Sequence, residues 1–292
     1  MAEFTTNGIT LSYEMRGDGP PLLLLHGFPQ TRQLWRRVAD QLSDRFTCVM
    51  PDLRGYGASS KPPALPDLSN YSFRAMAGDV LALMSGLGFE RFHLAGHDRG
   101  GRVAHRAALD APGRVATLCL MDIVPTLYLV ENWSFEVGRA YYHWSFLAQP
   151  APLPERMIAP DPDAFYEAGM LGWGGAQLSD FPDIDAYRAA WRDPDTIAAM
   201  TNDYRAAVSV DVALDRADEG RRVTCPSLVL YGADGAMGRA FDVPATWRDR
   251  LDDMTAAALP GGHFFVDQSP GETARALGDF LAGHPGGFGG KD

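Results

Sequence analysis

The stretch Leu94-Ala95-Gly96-His97-Asp98-Arg99-Gly100-Gly101-Arg102 decides how the rest of this chain is interpreted. It follows a short apolar run that begins at Phe92 and precedes a helix-compatible segment, 103–109. Gly96 and Gly100 lie two residues on either side of Asp98, where small residues let a strand and a helix approach closely around a strained backbone. A strand, a sharp turn and a helix in this order predict a nucleophile elbow, with an aspartate at its centre.

Short apolar runs alternate with segments of helical periodicity along much of the chain. The runs cover 22–25, 46–50, 92–95, 115–121, 227–232 and 256–259, a hairpin is expected around Asn7-Gly8, and single helices are expected over 73–87 and 240–251. This alternation predicts an α/β fold, with a mostly parallel sheet flanked by helices. In such a sheet the functional groups belong at the carboxyl ends of the strands.

The middle of the chain has a different character. From 124 to 213 the strand patterns vanish, while aromatic residues, prolines and short helical patterns accumulate. We therefore expect a helical cap over 124–213, inserted into a core made of 1–123 and 214–283. The glycine-rich segment 284–292 is expected to be a flexible tail.

Composition and charge exclude several classes of partner. The 292 residues carry a formal net charge of -11, which argues against nucleic acid or an anionic membrane as a partner. The amino terminus has no signal-peptide pattern and the run 22–25 is too short to span a bilayer, so a cytoplasmic protein is expected. The three cysteines, Cys48, Cys119 and Cys225, lack metal-ligand spacing, and neither a metal nor an organic cofactor is expected.

Three residues follow one another in the order nucleophile, acid, histidine, which is typical of α/β-hydrolases. They are Asp98, Asp122 and His263, and Asp234 is an alternative to Asp122 as the acid. Asp98 could simply cap a helix, but its flanking glycines and the segment His26-Gly27-Phe28-Pro29 after an earlier strand favour a catalytic residue.

An aspartate in the elbow indicates a particular reaction. A carboxylate can displace a leaving group from saturated carbon and form an ester on the enzyme. Water activated by His263 would then attack that ester, and the backbone N–H groups of Phe28 and Arg99 are placed to bind the oxyanion. Arg99 and Arg102 lie three residues apart on one helix face, which favours a substrate that carries a carboxylate.

Two motifs are similar to those of the fluoroacetate dehalogenases, also called haloacetate dehalogenases. They are the stretch 96–102 and Tyr142-His143-Trp144-Ser145-Phe146-Leu147-Ala148-Gln149-Pro150, and the likeness extends over nearly the whole chain. The resemblance implies hydrolytic dehalogenation of small anionic 2-haloacids, with fluoroacetate giving glycolate and fluoride. It also implies a homodimer.

The resemblance assigns roles position by position. The nucleophile falls on Asp98, the acid on Asp122, the base on His263 and the carboxylate-binding arginines on Arg99 and Arg102. The implied halide-binding residues are His143, Trp144 and Tyr204, and the implied pocket-lining aromatics are Phe28 and Trp173. Packing within the cap would equally explain Trp144 and Tyr204.

Two other functions compete with dehalogenation. An epoxide hydrolase would share the nucleophile and the base and would use cap tyrosines, Tyr204 with Tyr141 or Tyr142, to protonate the epoxide oxygen. It would not need Arg99 and Arg102. A ligand-binding protein without turnover would bind a small carboxylate and leave it intact, and an ordinary serine esterase is disfavoured by an aspartate at the elbow.

Overall fold

Eight strands form one sheet in the computed structural model, which describes residues 1–288. The strands are β1 Ala2–Thr6, β2 Ile9–Arg16, β3 Pro21–Leu25, β4 Thr47–Pro51, β5 Phe92–His97, β6 Val115–Met121, β7 Ser227–Gly232 and β8 Met254–Leu259. Their order across the sheet is β1-β2-β4-β3-β5-β6-β7-β8. β2 pairs antiparallel with both β1 and β4, and the other neighbours pair parallel. The predicted α/β class with a mostly parallel sheet is confirmed.

Helices cover both faces and the carboxyl edge of the sheet. They are α1 Arg36–Leu42, α2 Phe73–Gly86, α3 Arg99–Asp110, α4 Thr126–Glu131, α5 Phe135–Ala140, α6 Tyr142–Leu147, α7 Leu153–Ile158, α8 Pro162–Leu171, α9 Ile184–Trp191, α10 Pro194–Ala206, α11 Val212–Ala217, α12 Ala236–Ala240, α13 Val243–Trp247, α14 Phe265–Gln268 and α15 Pro270–Ala282. A π-helical segment, Ala207–Asp211, joins α10 to α11. No helix in the described part of the chain has both the length and the apolar character needed to cross a membrane.

The four leucines of β3 contribute to both hydrophobic cores of the protein, one on each face of the sheet. Leu22 and Leu24 belong to the core that lies beneath α1 and α15, and Leu23 and Leu25 belong to the larger core on the side of α2 and α3. Successive side chains of a strand point to opposite faces, so a strand covered on both faces needs apolar residues at every position. This requirement is why the run 22–25 predicts its strand correctly.

The turn between β5 and α3 forms a tight elbow. Asp98 has φ 50° and ψ −117°, and α3 begins at the next residue. A Cβ atom on Gly96 would collide with the carbonyl of Gly100, and a Cβ atom on Gly100 would collide with the carbonyl of Leu25. The two glycines predicted to allow this close approach therefore do so, and they hold the Asp98 side chain at the carboxyl edge of the sheet.

The helices α4 to α11 lie between β6 and β7 in the chain. The helices α4 to α10 fall within the region predicted as the cap, and α11 extends from Val212 to Ala217, beyond its predicted end at 213. Aromatic side chains from these helices pack against Phe28, which follows β3 at the carboxyl edge of the sheet. The division into a core of 1–123 and 214–283 and a cap of 124–213 stays a prediction.

One predicted helix differs in detail from the structure. The helix expected over 240–251 is only the short α13, Val243–Trp247, and α12 ends at Ala240 before it. Asp242 caps the new helix start and Pro244 follows it. In the predicted tail, Arg91 donates to the Gly286 carbonyl at 2.8 Å and the Phe288 ring lies 4.8 Å from that of His93. Residues 289–292 of that tail lie outside the described residues.

Candidate active site

Asp98, Asp122 and His263 meet at the carboxyl edge of the sheet. His263 Nδ1 lies 2.7 Å from Asp122 Oδ2, and the backbone N–H of Gly232 donates to Asp122 Oδ1 at 2.9 Å. On the other side of the ring, His263 Nε2 lies 3.8 Å from Asp98 Oδ2 and has no hydrogen-bond partner. The contact with Asp122 orients the imidazole and leaves Nε2 directed toward the Asp98 carboxylate.

The two oxygens of Asp98 have different surroundings. Oδ1 accepts a hydrogen bond from the backbone N–H of Phe28 at 2.9 Å, and Oδ2 faces His263. Oδ1 therefore contacts a backbone N–H of the kind that stabilises an oxyanion, while Oδ2 faces the imidazole. The second predicted oxyanion donor, the backbone N–H of Arg99, stays a prediction.

Neighbouring charges determine the protonation of this pair. Burial alone would raise the pKa of Asp98, but His263, His97 and the two elbow arginines outweigh burial and lower the pKa to about 2. Burial alone would lower the pKa of His263, but the hydrogen bond and the charge of Asp122, together with the charge of Asp98, raise it. The site is almost closed to solvent, since Asp98 is 6% exposed and His263 is 0% exposed.

Arg99 and Arg102 are buried beside Asp98 on the first turn of α3. The guanidinium carbon of Arg99 lies 5.2 Å from the ring centre of Trp144, and that of Arg102 lies 4.8 Å from the same ring. Both cations therefore contact α6 of the predicted cap, which is consistent with a binding position for an anion between the elbow and Trp144.

An aromatic cluster joins the two sides of the site. The His143 ring stacks on Trp173 at 4.3 Å and lies parallel to Phe28 at 5.7 Å. Tyr204 meets the rings of Phe28, His143 and Trp144 edge to face at 5.1, 5.6 and 5.3 Å. Trp173 also lies 5.0 Å from His263. The five aromatic residues predicted for the halide site and the pocket are therefore brought together beside Asp98 and His263.

Several polar atoms in this cluster are buried without a hydrogen-bond partner. They are His143 Nδ1, the Tyr204 hydroxyl and the Tyr141 hydroxyl. Burial lowers the pKa of His143 to about 3, so its ring is neutral at ordinary pH. The Tyr166 hydroxyl, next to Phe28, is buried without a partner as well. Buried polar atoms of this kind normally have a partner, which makes these atoms candidates for contact with a polar ligand.

The structure separates the alternatives left open for the acid. Asp122 contacts His263, whereas Asp234 lies exposed after β7. No group of three or more His, Cys, Asp or Glu side chains is placed to hold a metal ion within residues 1–288.

Sequence reasoning missed Asp203, which pairs with Arg99, and Tyr56, whose hydroxyl donates to Asp203 at 2.6 Å. Both residues come from segments without strand character, and only the position of Asp203 next to Tyr204 pointed to the site.

Comparison with known proteins identifies the class. A family model described as the alpha/beta hydrolase fold matches residues 20–270. An α/β hydrolase structure from Nostoc sp PCC 7120 superposes with a TM-score of 0.94 at 44% sequence identity, covering 96% of this chain and 97% of that one. The chain belongs to the α/β-hydrolase fold family, and the prediction of a hydrolase is confirmed.

Within that family the chain is similar to a fluoroacetate dehalogenase from Burkholderia sp, with 52% identity over 276 residues, 94% of this chain and 91% of the relative. A soluble epoxide hydrolase from Corynebacterium sp. (strain C12) is 28% identical over 90% of this chain and 91% of the relative. The resemblance to the dehalogenases that the two sequence motifs predict is confirmed.

Proposed function

We propose that the protein hydrolyses the carbon–halogen bond of small 2-haloacids, converting fluoroacetate to glycolate and fluoride through an ester on Asp98. The observation that carries the proposal is the Asp98 carboxylate, with one oxygen on the Phe28 N–H and the other facing His263. The buried Arg99 and Arg102 beside it supply the charge that a haloacid requires. The similarity to a fluoroacetate dehalogenase supports the same conclusion.

In the first step, Asp98 Oδ2 attacks the carbon that bears the halogen. A carbon–oxygen bond forms as the carbon–halogen bond breaks, and the halide leaves with the electron pair. The low pKa of Asp98, about 2, keeps the carboxylate ionised and available for attack. The unpaired Tyr204 hydroxyl and the His143 and Trp144 rings beside it form the proposed halide site, because a departing fluoride needs hydrogen-bond donors to replace its water.

In the second step, His263 Nε2 takes a proton from water and the resulting hydroxide attacks the ester carbonyl carbon. The negative charge that develops on Oδ1 is stabilised by the Phe28 N–H. Collapse of this intermediate expels the glycolate alkoxide, which receives the proton from His263. The Asp98 carboxyl group then loses its own proton and returns to the ionised state, because its pKa is low.

An isotope experiment tests the covalent route. A single turnover with chloroacetate in oxygen-18 water, with enzyme in excess, should give unlabelled glycolate and place the label on Asp98. The reason is that Asp98 supplies the product oxygen and water replaces it on the enzyme. Mass spectrometry of glycolate and of the peptide containing residue 98 provides the measurement. Label in the glycolate of the first turnover excludes the ester, and Asp98→Asn is the inactive control.

A second candidate function, epoxide hydrolysis, is favoured by one specific observation. The hydroxyls of Tyr141 and Tyr204 are both buried and unpaired, and burial and then nearby carboxylate charges raise the pKa of both phenols. Two such phenols are suitable for donating a hydrogen bond to an epoxide oxygen. Halide release from fluoroacetate compared with hydrolysis of styrene oxide separates the two functions, and turnover of styrene oxide alone would favour the second.

A further inference from the structure

Arg99 has a complete set of partners on one side of its guanidinium group. Its Nε donates to Asp203 Oδ2 at 2.9 Å, and its Nη2 donates to the Asp203 main-chain oxygen at 3.0 Å and also pairs with Oδ1. Tyr56 donates a further hydrogen bond to the same carboxylate at 2.6 Å. Both charged side chains are 0% exposed, so the positive charge of Arg99 is compensated inside the protein.

The orientation of Arg99 is also fixed by the rings around it. Its guanidinium carbon lies 4.2 Å from the ring centre of Tyr204 and 4.6 Å from that of Phe73. Nη1 is the one guanidinium nitrogen of Arg99 without a partner in the described structure. Arg99 therefore has one guanidinium nitrogen, Nη1, available to a ligand, and the packing around the group fixes its direction.

Arg102 has neutral partners instead. Its Nη1 donates to the Val124 carbonyl at 3.0 Å and to the Thr126 hydroxyl at 2.9 Å, and its Nε is buried without a partner. Among residues 1–288 no carboxylate lies within ion-pair distance of its guanidinium group. Burial, followed by repulsion from Arg99, lowers the pKa of Arg102 to about 10, which leaves the side chain charged at neutral pH.

Two carboxyl groups line the small cavity behind Arg102, but neither forms an ion pair with it. Asp215 pairs with Arg106 at 3.1 Å. Asp211 is buried without a cationic partner, and that burial raises its pKa well above the ordinary value. Arg102 is therefore a buried cation without an ion-pair partner among the described residues, and the charges of Asp98 and Asp215 only partly offset the burial that lowers its pKa.

We propose that Asp203 is a positioning residue that gives Arg99 and Arg102 different roles in binding the substrate carboxylate. Arg102 supplies a positive charge that no carboxylate of residues 1–288 pairs with. Arg99, whose charge is compensated by Asp203, supplies one oriented hydrogen-bond donor group. This inference rests on the proposed function, because it assigns roles within the same site. It predicts that replacing Arg99 alone raises the Kd for a carboxylate chiefly because the negative charge of Asp203 then repels the ligand.

Acetate is the probe, because it carries the carboxylate and is not turned over. Its Kd would be measured by isothermal titration calorimetry. Arg99→Gln should raise the Kd about 100-fold, since it leaves a buried carboxylate uncompensated beside the ligand. The double variant Arg99→Gln with Asp203→Asn removes both charges and should return the Kd to within about 10-fold of the wild type. Arg102→Gln, which leaves the Arg99–Asp203 pair intact, should raise the Kd about 100-fold.

A matched control exists elsewhere in the chain. Arg54 and Asp79 form another buried pair of the same type, with Nε and Nη2 of the arginine donating to the two carboxylate oxygens at 2.8 and 2.7 Å. Replacing both by Gln and Asn should leave the acetate Kd unchanged. The KM for chloroacetate should follow the order of the acetate Kd values, with a smaller change in kcat.

Three results would overturn the inference. The first is a double variant, Arg99→Gln with Asp203→Asn, whose Kd for acetate is as high as that of Arg102→Gln. This comparison can be made even if Arg99→Gln alone fails to fold. The second is an Arg102→Gln variant that binds acetate like the wild type. The third is a wild type that does not bind acetate, which overturns the proposed haloacid site as well. Halide release by the wild type tests the proposed function separately, because acetate binding does not depend on turnover.

Discussion

The charge of Asp98 adds to that of Asp122 in raising the pKa of His263. While Asp98 is ionised, it contributes to the raised pKa of His263 across the 3.8 Å between Oδ2 and Nε2. On the proposed mechanism the ester removes that charge, so the pKa of His263 falls at the stage when the ring must accept a proton from water. The nucleophile and the base are therefore coupled electrostatically.

This coupling predicts a difference between the two steps at acidic pH. The pKa of Asp98 is about 2, so attack on the haloacid continues down to about pH 3. Hydrolysis of the ester needs neutral His263, and Asp122 still favours the protonated ring after the charge of Asp98 is gone. At about pH 4.5, enzyme mixed with chloroacetate should therefore accumulate the ester, and at about pH 8 it should not. Intact-protein mass spectrometry after an acid quench measures the adduct.

The variant His263→Asn is the positive control, because it should accumulate the ester at every pH at which it is folded. His284→Asn is the negative control and should behave like the wild type. The His284 ring contacts the Phe280 carbonyl near the end of α15, away from the site. If turnover by the wild type slows at about pH 4.5 and no adduct is found, the loss of activity at acidic pH belongs to the first step instead.

Asp98, Asp122 and His263 could be predicted from the sequence because each follows a strand, whereas the aromatic residues of the cap were assigned only through the family resemblance. Asp98, Asp122 and His263 occur in a known order, and parallel strands bring their carboxyl ends together. Asp203 could not be found in this way, because it lies within α10 and its contact with Arg99 depends on how that helix packs over the elbow. Sequence periodicity marks which face of a helix is buried, but it does not specify a partner from a distant segment.

At the scale of elements, the elbow depends on the absence of a side chain at Gly96. A Cβ atom there would meet backbone atoms of Gly100 and Gly101, which cannot move without shifting the start of α3. Gly96→Ala should therefore lower the free energy of unfolding by about 1–3 kcal/mol and reduce halide release. Urea denaturation and a halide electrode provide the two measurements.

Gly113 provides the matched control for this substitution. A Cβ atom at Gly113 would have no atom within 4 Å, and its φ is not positive. Gly113→Ala should change the free energy of unfolding by no more than about 0.5 kcal/mol. An equal effect of the two substitutions would show that the elbow does not require its glycine.

The strands were easier to predict than the short helices. Runs such as 115–121 and 227–232 coincide with β6 and β7, because a strand buried on both faces is apolar throughout. Helices of five or six residues, such as α12 and α13, contain too few turns for a periodic pattern, and capping residues alone separate them.

At the scale of the whole molecule, the predicted homodimer has a candidate surface on α7. Leu153 and Met157 are 50% and 63% exposed and lie beside the proline-rich segment 150–152, where they line an open groove. Exposed apolar groups of this kind favour association with another surface. Multi-angle light scattering should give a dimer for the wild type and a monomer for Met157→Glu. Met15→Glu, at a residue of β2 that is 49% exposed, should remain dimeric, and a monomeric wild type would contradict the prediction.

The burial of the catalytic pair determines what must pass between the site and the solvent. On the proposed reaction one anion and one water molecule enter, whereas two anions and a proton leave. Neither the nucleophile nor the base has appreciable contact with bulk water, since Asp98 is 6% exposed and His263 is 0% exposed. On that reaction, departure of the halide, the hydroxy acid and the proton from a site this buried competes with bond breaking to limit the turnover rate.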